Sequence, residues 1–538
     1  MKTIAAILSM LHQPAGEQSA TRLFRGKPAL WWTLRRLGQA RSVGHTAVLC
    51  WEDQLASVRP IAAEAGAFVL AKGPRCAIAS MEAITAALRW ADGWRGGLLG
   101  ACHCDLGFVP SYHNEIRRHF GADAVLLVDP DAGLIDAALV DSLVAHARAY
   151  PSLELCFSPA APGLSATLLS AELLDQLSAS GNHPGRLLNY WPDLPGRDPI
   201  SREHCAPVVT AAARTLARFT LHSRRAIRRM ENCTVSLNGQ LLNTAAEQLV
   251  SAVAAAAMDP LPRDVTLELN TQRLTRPIYA PVRHLELDRP ELPLELARRL
   301  FVELGELDDS RLTLAGVGDP LLARHMFEVI QAAHSGGICA IHIETDLACE
   351  DAARAAQLAE LPVDVVSVHI PAASEAVYEQ VMGRDLLGRV IENLRALLSR
   401  RQELGRGTPI VVPTFTKCRQ NLHEMEAWYD HWIRAVGCAV IVGPSDYAGQ
   451  IPDCAVADMS PPGRCPCRRL SSRATILCDG SIVACEQDAA GRQPLGRIGV
   501  ERISKVWAGA FSTLRDAHQA GRHDAHPLCS ACREWHRP

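Results

Sequence analysis

Lysine is rare in this chain of 538 residues, and no stretch of it is apolar over the roughly 18 residues that a membrane span needs. Arginine supplies most of the positive charge, and the 55 basic and 58 acidic residues are spread along the sequence to give a net charge of -3. The lack of a basic cluster argues against nucleic acid as a partner. The short apolar N-terminus lacks the pattern of a secretory signal, so we expect a cytoplasmic protein without a membrane partner.

Cysteine is plentiful by comparison, with 18 residues. In a cytoplasmic protein such thiols are more often free or metal-bound than paired as disulfides. The length suggests about three domains, and the content of 48% hydrophobic and 21% charged residues is typical of globular chains. The cysteines are therefore candidates for metal ligands.

Strand-like and helix-like segments alternate in the first part of the chain. We expect strands at residues 3–10, 46–51 and 123–128 and helices at residues 29–40, 77–90 and 137–149. This alternation predicts a doubly wound α/β domain with a parallel sheet. We assign this domain to residues 1–215 and expect a helical linker over residues 216–262.

The middle region contains six apolar, strand-like runs with a helical pattern in each gap. The runs lie at residues 265–270, 311–316, 340–346, 363–370, 409–416 and 439–445. Continuous apolar strands that alternate with helices predict a parallel sheet covered on its faces. We therefore expect a partial (β/α)6 barrel over residues 263–455, followed by a small C-terminal module over residues 456–538.

Two motifs of the first region resemble the sugar-nucleotide cytidylyltransferases. Residues 19–30 resemble a shortened nucleotide-binding loop, and Asp129 and Asp131 lie where that family has a metal-binding aspartate at the end of a central strand. The resemblance implies that these two carboxylates hold Mg²⁺ against a triphosphate. The glycine-rich turn and the lysine of the family's loop are missing here, and a strand-ending turn is the alternative role for both aspartates.

The segment Cys102-His-Cys-Asp105 also collects ligand-type side chains. Its Cys-x-Cys spacing is weak evidence for a metal site, because buried cysteines without a ligand are common. We expect these four residues to be part of an ordinary loop.

Several segments of the middle region resemble the radical S-adenosylmethionine enzymes. Gly316-Val-Gly318-Asp319-Pro320, after the second strand, resembles the GGEP motif, whose backbone edge receives the amino group of adenosylmethionine. Residues 363–393 and 413–449 follow the pattern of the family's last three β/α units. The resemblance implies that the barrel mouth is the site for cofactor or ligand.

The three cluster cysteines of that family are missing. Its CxxxCxxC motif falls just after the first strand, where this chain has Arg273, Pro277 and Ala280, and no other CxxxCxxC occurs. A [4Fe-4S] cluster needs thiolate ligands, so we expect the cleavage of adenosylmethionine to be lost. Two interpretations stay open, a scaffold in which Arg273 is solvated and a repurposed site in which Arg273 binds a carboxylate or phosphate. The repurposed pocket would be lined by Arg273, Gly318, Asp319, Thr345 and His369.

The C-terminal segment resembles a SPASM or twitch module. Cys467, an Asp479-Gly480 hairpin turn before Cys485, and the closing Cys529-Ser-Ala-Cys532 carry the resemblance. It implies one auxiliary [4Fe-4S] cluster on Cys467, Cys485, Cys529 and Cys532. Zinc is an alternative, because four thiolates that include a CxxC are also a zinc pattern, and Cys465 is able to exchange roles with Cys467.

The order of these regions is similar to that of the bacterial spiro-SPASM family. We expect an iron-sulfur protein without radical chemistry, acting as an accessory in surface-glycan or peptide modification, with another modifying enzyme or a nucleotide-sugar as its partner. A Mg-dependent cytidylyltransferase-like enzyme is the first alternative. A radical maturase with an unorthodox cluster site is the second.

Overall fold

The computed structural model describes residues 2–91, 97–193, 204–237, 239–254 and 259–537. The chain divides into two compact units, Met1–Ala257 and Met258–Pro538, and each contains both helices and strands. The α/β class is thereby confirmed. Residues 194–203 of the predicted first domain and residues 255–258 of the predicted linker lie outside the described ranges. No described helix is long and apolar enough to cross a membrane.

The first unit contains a six-stranded sheet and a two-stranded hairpin. Its strands are β1 Ile4–Ser9, β2 Leu23–Phe24, β3 Lys27–Pro28, β4 His45–Cys50, β5 Phe68–Ala71, β6 Ala124–Val128, β7 Leu155–Phe157 and β8 Thr167–Ser170. Its helices are α1 Ala29–Leu37, α2 Leu55–Glu64, α3 Ala79–Arg89, α4 Pro110–Phe120, α5 Ala137–Ala149, α6 Ala171–Ser180, α7 Thr210–Arg214, α8 Arg224–Cys233 and α9 Ala246–Ala254.

The strand order of this sheet is β5-β4-β1-β6-β8-β7, and β1 pairs in parallel with both β4 and β6. Every residue of β1 is buried, because helices cover both faces of the sheet. The chain continues from β1 to β4 on one side of the sheet and from β6 to β7 and β8 on the other side, so the carboxyl ends of β1 and β6 flank a switch point. Ligands of doubly wound folds bind at such a point.

Local capping signals fix where several of these helices begin. The side chain of Asp136 accepts a hydrogen bond from the backbone N–H of Ala138 at 2.8 Å, and Ser170 accepts one from Leu173 at 3.1 Å. These contacts satisfy backbone donors that have no partner inside a helix. Helices α5 and α6 therefore each begin directly after a residue whose side chain caps the first turn.

The segment expected as a linker packs onto the first unit. Ile227 of α8 and Leu249 of α9 belong to the same buried cluster as Trp32 of α1. The guanidinium of Arg36 donates to the backbone carbonyl of Thr244 at 2.7 Å, which fastens the loop before α9 to α1. Residues 224–254 are thus part of the core of the first unit.

The second unit contains one nine-stranded sheet. Its strands are β9 Asp264–Leu267, β10 Arg311–Leu314, β11 Ala340–Thr345, β12 Val365–His369, β13 Ile410–Thr416, β14 Val440–Val442, β15 Arg473–Ile476, β16 Ser481–Val483 and β17 Gly496–Arg497. Its helices are α10 Pro281–His284, α11 Leu294–Leu304, α12 Met326–Ser335, α13 Ala352–Gln357, α14 Glu375–Met382, α15 Leu387–Glu403, α16 Met425–Val436, α17 Arg469–Ser472, α18 Ile503–Ala508, α19 Ala510–Gln519 and α20 Pro527–Ala531.

Strands β9 to β14 lie side by side in chain order and pair in parallel. They coincide with the six apolar runs, and their side chains form one large core with the helices between them. The carboxyl ends of parallel strands meet at one edge of a sheet. The loops after β9, β10, β11 and β12 therefore form a common mouth.

The C-terminal segment continues the same sheet. Strand β15 pairs in parallel with β9, and β16 returns antiparallel to β15 through a turn at Asp479 and Gly480. Gly480 has φ +89°, a conformation that favours glycine. Strand β15 covers what would be the exposed edge of β9, which satisfies the backbone groups of that edge. Side chains of the C-terminal segment, from Leu470 to Leu514, therefore share one core with strands β9 to β14.

Candidate functional site

Four cysteines of the second unit line one cavity. Cys467 precedes α17, Cys485 follows β16, Cys529 lies in α20, and Cys532 ends that helix. Three separate segments thus bring together the four residues that the sequence predicts as ligands. The rest of the wall consists of Arg464, Leu470, Ala484, Gln487, Asp488, His518, His526, Leu528 and Trp535.

Two nearby cysteines do not line this cavity. Cys465 is exposed, although it precedes Cys467 by only two residues. Cys478 is buried elsewhere, and its backbone N–H donates to Glu268 Oε1 at 3.3 Å. The sequence prediction named Cys467 and let Cys465 exchange roles with it; of these two, only Cys467 lines the cavity.

Burial opposes ionisation of the cavity thiols. It raises the pKa of Cys485 well above the ordinary value, with the charge of Glu486 as the next cause. It also raises the pKa of Cys529 to about 12, with Cys532 as the next cause. Because thiolates are the metal-binding form, a metal at this site has to displace protons.

A fixed cation lies beside these thiols. The side chain of Arg469 is 9% exposed and forms an ion pair with Glu486. Although burial opposes it, the negative charges of Glu486 and the neighbouring Cys485 and Cys467 raise the pKa of Arg469. Arg469 therefore stays charged and offsets negative charge on thiolates in a site of low dielectric constant.

A buried histidine completes the wall of the cavity. His518 is 2% exposed, and its Nδ1 accepts a hydrogen bond from the backbone N–H of Cys467 at 3.4 Å. Its Nε2 is buried and has no hydrogen-bond partner in the described part of the chain. Burial lowers the pKa of His518 to about 4, with the neighbouring His523 as the next cause, so the ring is neutral at pH 7.

This donor set fits an iron-sulfur cluster. Thiolates are the soft ligands that such clusters require, and four of them surround the cavity. Among the described residues, no three His, Cys, Asp or Glu side chains converge closely enough to hold a single metal ion. The four cysteines line a shared space and do not meet at one point.

A buried ion pair lies at the mouth formed by the parallel strands. Arg273 Nε donates to Asp346 Oδ2 at 2.7 Å, and its Nη2 donates to the other carboxylate oxygen. His369 Nδ1 lies 3.1 Å from Asp346 Oδ1, and the hydroxyl of Thr275 also donates to this carboxylate. The side chains of Arg273 and Asp346 are 9% and 1% exposed. Arg273 is therefore not solvated, and its guanidinium is bound within the chain.

Asp346 is the residue of this mouth that the sequence prediction missed. Burial by itself raises its pKa, but the charge of Arg273 and the contact with His369 hold that pKa well below the ordinary range. Asp346 directly follows β11, so a polar residue at the carboxyl end of a barrel strand was the available signal. The other two positions of the missing cysteine motif, Pro277 and Ala280, are both buried.

Asp319 and Thr345, predicted as pocket residues, bond to each other. The hydroxyl of Thr345 donates to Asp319 Oδ1 at 2.8 Å, and the backbone N–H groups of Asp346 and Leu321 donate to the same carboxylate at 3.0 Å. Pro320 begins the short turn that follows. The predicted residues share one edge of the sheet, but they satisfy one another.

The two glycines of the GGEP-like motif allow close packing. A Cβ atom at Gly318 would lie 2.2 Å from Asn270 Oδ1, and one at Gly316 would lie 2.6 Å from Glu268 Cγ. The backbone N–H of Asp319 donates to the carbonyl of Gln272 at 2.8 Å. Gly316 and Gly318 thus let the loop after β10 press against the end of β9.

The two aspartates of the first unit lie in different surroundings. Asp129 lines a pocket at the switch point, where its Oδ2 lies 3.0 Å from His103 Nε2. Asp131 is 2% exposed and accepts from the hydroxyl of Ser19 at 2.6 Å and from the amide of Gln13 at 3.2 Å. Burial and the charge of Asp129 raise the pKa of Asp131 to about 7. His103, expected to be an ordinary loop residue, is thus the partner of Asp129.

Among the described residues, no lysine or arginine lines the pocket beside Asp129. Its wall consists of Ile7, Ser9, His103, Cys104, Leu106, His113, Leu127, Val128, Asp129, Ser158, Ala160, Ala161, Pro162, Gly163, Ser165, Ala166 and Thr167. Triphosphate groups are usually bound by arginine, lysine or a metal ion. The lining of this pocket does not provide the first two.

The C-terminal part of the chain matches a known family. Residues 465–533 match the model of the SPASM family, an iron-sulfur cluster-binding domain. The resemblance to SPASM proteins is confirmed. The chain is also 25% identical, over 303 residues, to a protein of Treponema pallidum (strain Nichols) described as uncharacterized, and the match covers 54% of this chain and 82% of that protein.

Solved structures with similarity to this chain include BtrN, SuiB and a cytidylyltransferase. BtrN, in complex with AdoMet and 2-DOIA, is 18% identical with a TM-score of 0.35 and covers 51% of this chain and 93% of its own. SuiB of Streptococcus suis, bound to precursor peptide SuiA, is 13% identical with a TM-score of 0.41 and covers 54% and 77%. A cytidylyltransferase from Leptospira borgpetersenii serovar Hardjo-bovis (strain JB197) is 14% identical with a TM-score of 0.35 and covers 47% and 94%.

Proposed function

We propose that this chain is an iron-sulfur protein that holds one [4Fe-4S] cluster and no longer cleaves adenosylmethionine. The observation that carries the proposal is the buried ion pair between Arg273 and Asp346. Arg273 stands where the resembled radical enzymes have a cluster thiolate. A guanidinium donates hydrogen bonds and has no lone pair to offer a metal, so iron has no ligand there.

The retained cluster site is assigned to Cys467, Cys485, Cys529 and Cys532. Their common cavity and the match to an iron-sulfur cluster-binding domain over residues 465–533 support this assignment. A cluster bound there would supply a one-electron redox centre. The chain's own contribution is to ligate it, to balance its charge with Arg469, and to keep water out with apolar groups such as Leu470 and Trp535.

In this proposal the protein is an accessory of another modifying enzyme in surface-glycan or peptide modification. The support is the combination, in one unit, of a retained thiol site with a buried ion pair at the barrel mouth. Such a unit is suited to electron transfer or to holding a partner, and it is not suited to splitting a sulfonium bond. No described residue that lines the pocket at Asp129 is a lysine or arginine, which argues against the cytidylyltransferase alternative.

Metal analysis after anaerobic purification tests the proposal. We expect about four irons and about four sulfides per chain, the content of one [4Fe-4S] cluster. We expect no 5′-deoxyadenosine when the reduced protein is incubated with adenosylmethionine, under conditions in which a radical enzyme with an intact CxxxCxxC forms it. Zinc in place of iron would refute the cluster, and about eight irons together with 5′-deoxyadenosine would favour the radical alternative.

A further inference from the structure

His518 lies inside the cysteine cavity but is not one of the four thiol ligands. It sits near the end of α19, it is 2% exposed, and its ring lines the same cavity as Cys467 and Cys529. A neutral histidine buried this deeply normally bonds both ring nitrogens. In His518 one of the two nitrogens has a partner and the other does not.

The one hydrogen bond of this ring fixes its tautomer. The backbone N–H of Cys467 donates to His518 Nδ1 at 3.4 Å, so Nδ1 is the acceptor and carries no proton. The proton of the neutral imidazole must then be on Nε2. Nε2 is buried and has no partner among the described residues. The cavity wall therefore contains an N–H donor whose acceptor is not among the described residues.

We propose that His518 is a hydrogen-bond donor to the iron-sulfur cluster, with Nε2–H directed to a cluster or cysteine sulfur, and that this bond raises the reduction potential. The inference rests on the proposed function above. Hydrogen bonds to the sulfurs are among the factors that set the potential of such clusters. Reduction adds negative charge to the sulfurs, so an N–H donor stabilises the reduced state more than the oxidised state. His518 is thus a positioning residue that tunes the site.

Substitution at residue 518 tests the proposal on the full chain. His518→Gln keeps an N–H donor near the position of Nε2, whereas His518→Leu removes it. We expect both variants to retain about four irons per chain, with the midpoint potential of His518→Gln near that of the wild type and that of His518→Leu shifted to more negative values. His523→Leu is the matched control, because its ring centroid lies 5.0 Å from that of His518 but His523 does not line the cavity. An unchanged potential in an iron-replete His518→Leu protein overturns the inference.

A measurement on the wild type covers the case in which His518→Leu does not assemble its cluster. Pulsed electron paramagnetic resonance on the reduced protein with isotope-labelled histidine should detect a weak nitrogen coupling that is lost in His518→Gln. No such coupling, or a strong coupling from a directly ligated nitrogen, refutes the proposed donor. A wild-type protein without iron refutes the proposed function itself, so the two failures are distinguishable.

Discussion

The cysteine cavity and the barrel mouth belong to the same unit, and both collect side chains with the chemistry of a functional site. At the mouth, Arg273, Asp346 and His369 are neighbours that satisfy one another. In the cavity, Cys467 and Cys485 line a common space, and His518 Nε2 has no hydrogen-bond partner in the part of the chain that the structure describes. The two places therefore differ in whether the described side chains satisfy one another.

The largest expected effect separates two neighbouring cysteines. Cys467→Ser removes a thiolate from the cavity, so we expect the iron content to fall from about four per chain to near zero. Cys465→Ser changes an exposed thiol outside the cavity and should leave the iron content unchanged. Iron and sulfide quantitation with visible absorption measures both. Equal iron loss in the two variants would show that the ligand assignment is wrong.

The second effect concerns the stability of the barrel mouth. Arg273→Met leaves the buried carboxylate of Asp346 without its charged partner, which we expect to cost about 3–5 kcal/mol of unfolding free energy. Arg298→Met is the matched control, since its ion pair with Glu295 is exposed and should contribute less than about 1 kcal/mol. Denaturant unfolding followed by tryptophan fluorescence compares the two. A wild-type midpoint in Arg273→Met would mean that the mouth does not depend on this pair.

A smaller effect is the pH dependence of the unfolding free energy that the buried carboxyl group of Asp131 causes in the first unit. The pKa of Asp131 is raised to about 7 in the folded protein, whereas the pKa of an aspartate in an unfolded chain is about 3.9. Between these two pKa values the folded state keeps a proton that the unfolded state has lost. The free energy of unfolding therefore falls as pH rises from about 4 to about 7. Asp131→Asn mimics the protonated form, so its free energy of unfolding should not fall over this range. At pH 8 this free energy should exceed that of the wild type by about 1–3 kcal/mol. If the unfolding free energies of both proteins changed with pH in the same way across this range, the assignment would be contradicted.

The smallest expected signal is nucleotidyl transfer. Because no lysine or arginine of the described ranges lines the pocket beside Asp129, we expect no Mg-dependent release of pyrophosphate from CTP. A coupled pyrophosphate assay with a sugar acceptor measures this, with an active cytidylyltransferase as positive control. Release that disappears in Asp129→Ala would establish the cytidylyltransferase alternative.

Much of the fold was predictable because most of its central strands are apolar and buried. Strands β1, β6 and β9 to β14 fall within or next to the predicted runs, since a strand covered on both faces needs a continuous apolar sequence. The pairing of β15 with β9 was not predictable, because hydrogen bonds between strands about 200 residues apart leave no periodic signal. The same holds for the packing of α8 and α9 onto the first unit.

The four candidate cysteines were identified from spacing and resemblance, but the cavity that they line is seen only in the tertiary structure. The resemblance assigned Cys467 and left Cys465 able to exchange roles with it, and only the structure shows that Cys467 lines the cavity while Cys465 is exposed. The partner of Asp129 was missed for a similar reason. His103 is a loop residue whose importance depends on the end of β6, and nothing local marks that contact.

The sequence by itself determined which residue types are available: four cysteines in a SPASM-like pattern and an arginine in place of the first cluster cysteine. The tertiary structure decided how their bonding capacity is used. It placed Arg273 against a carboxylate 73 residues away in the chain, and it buried His518 Nε2 without a hydrogen-bond partner among the described residues. The physical reason is that burial makes every polar group depend on its immediate neighbours, and those neighbours are assembled by packing.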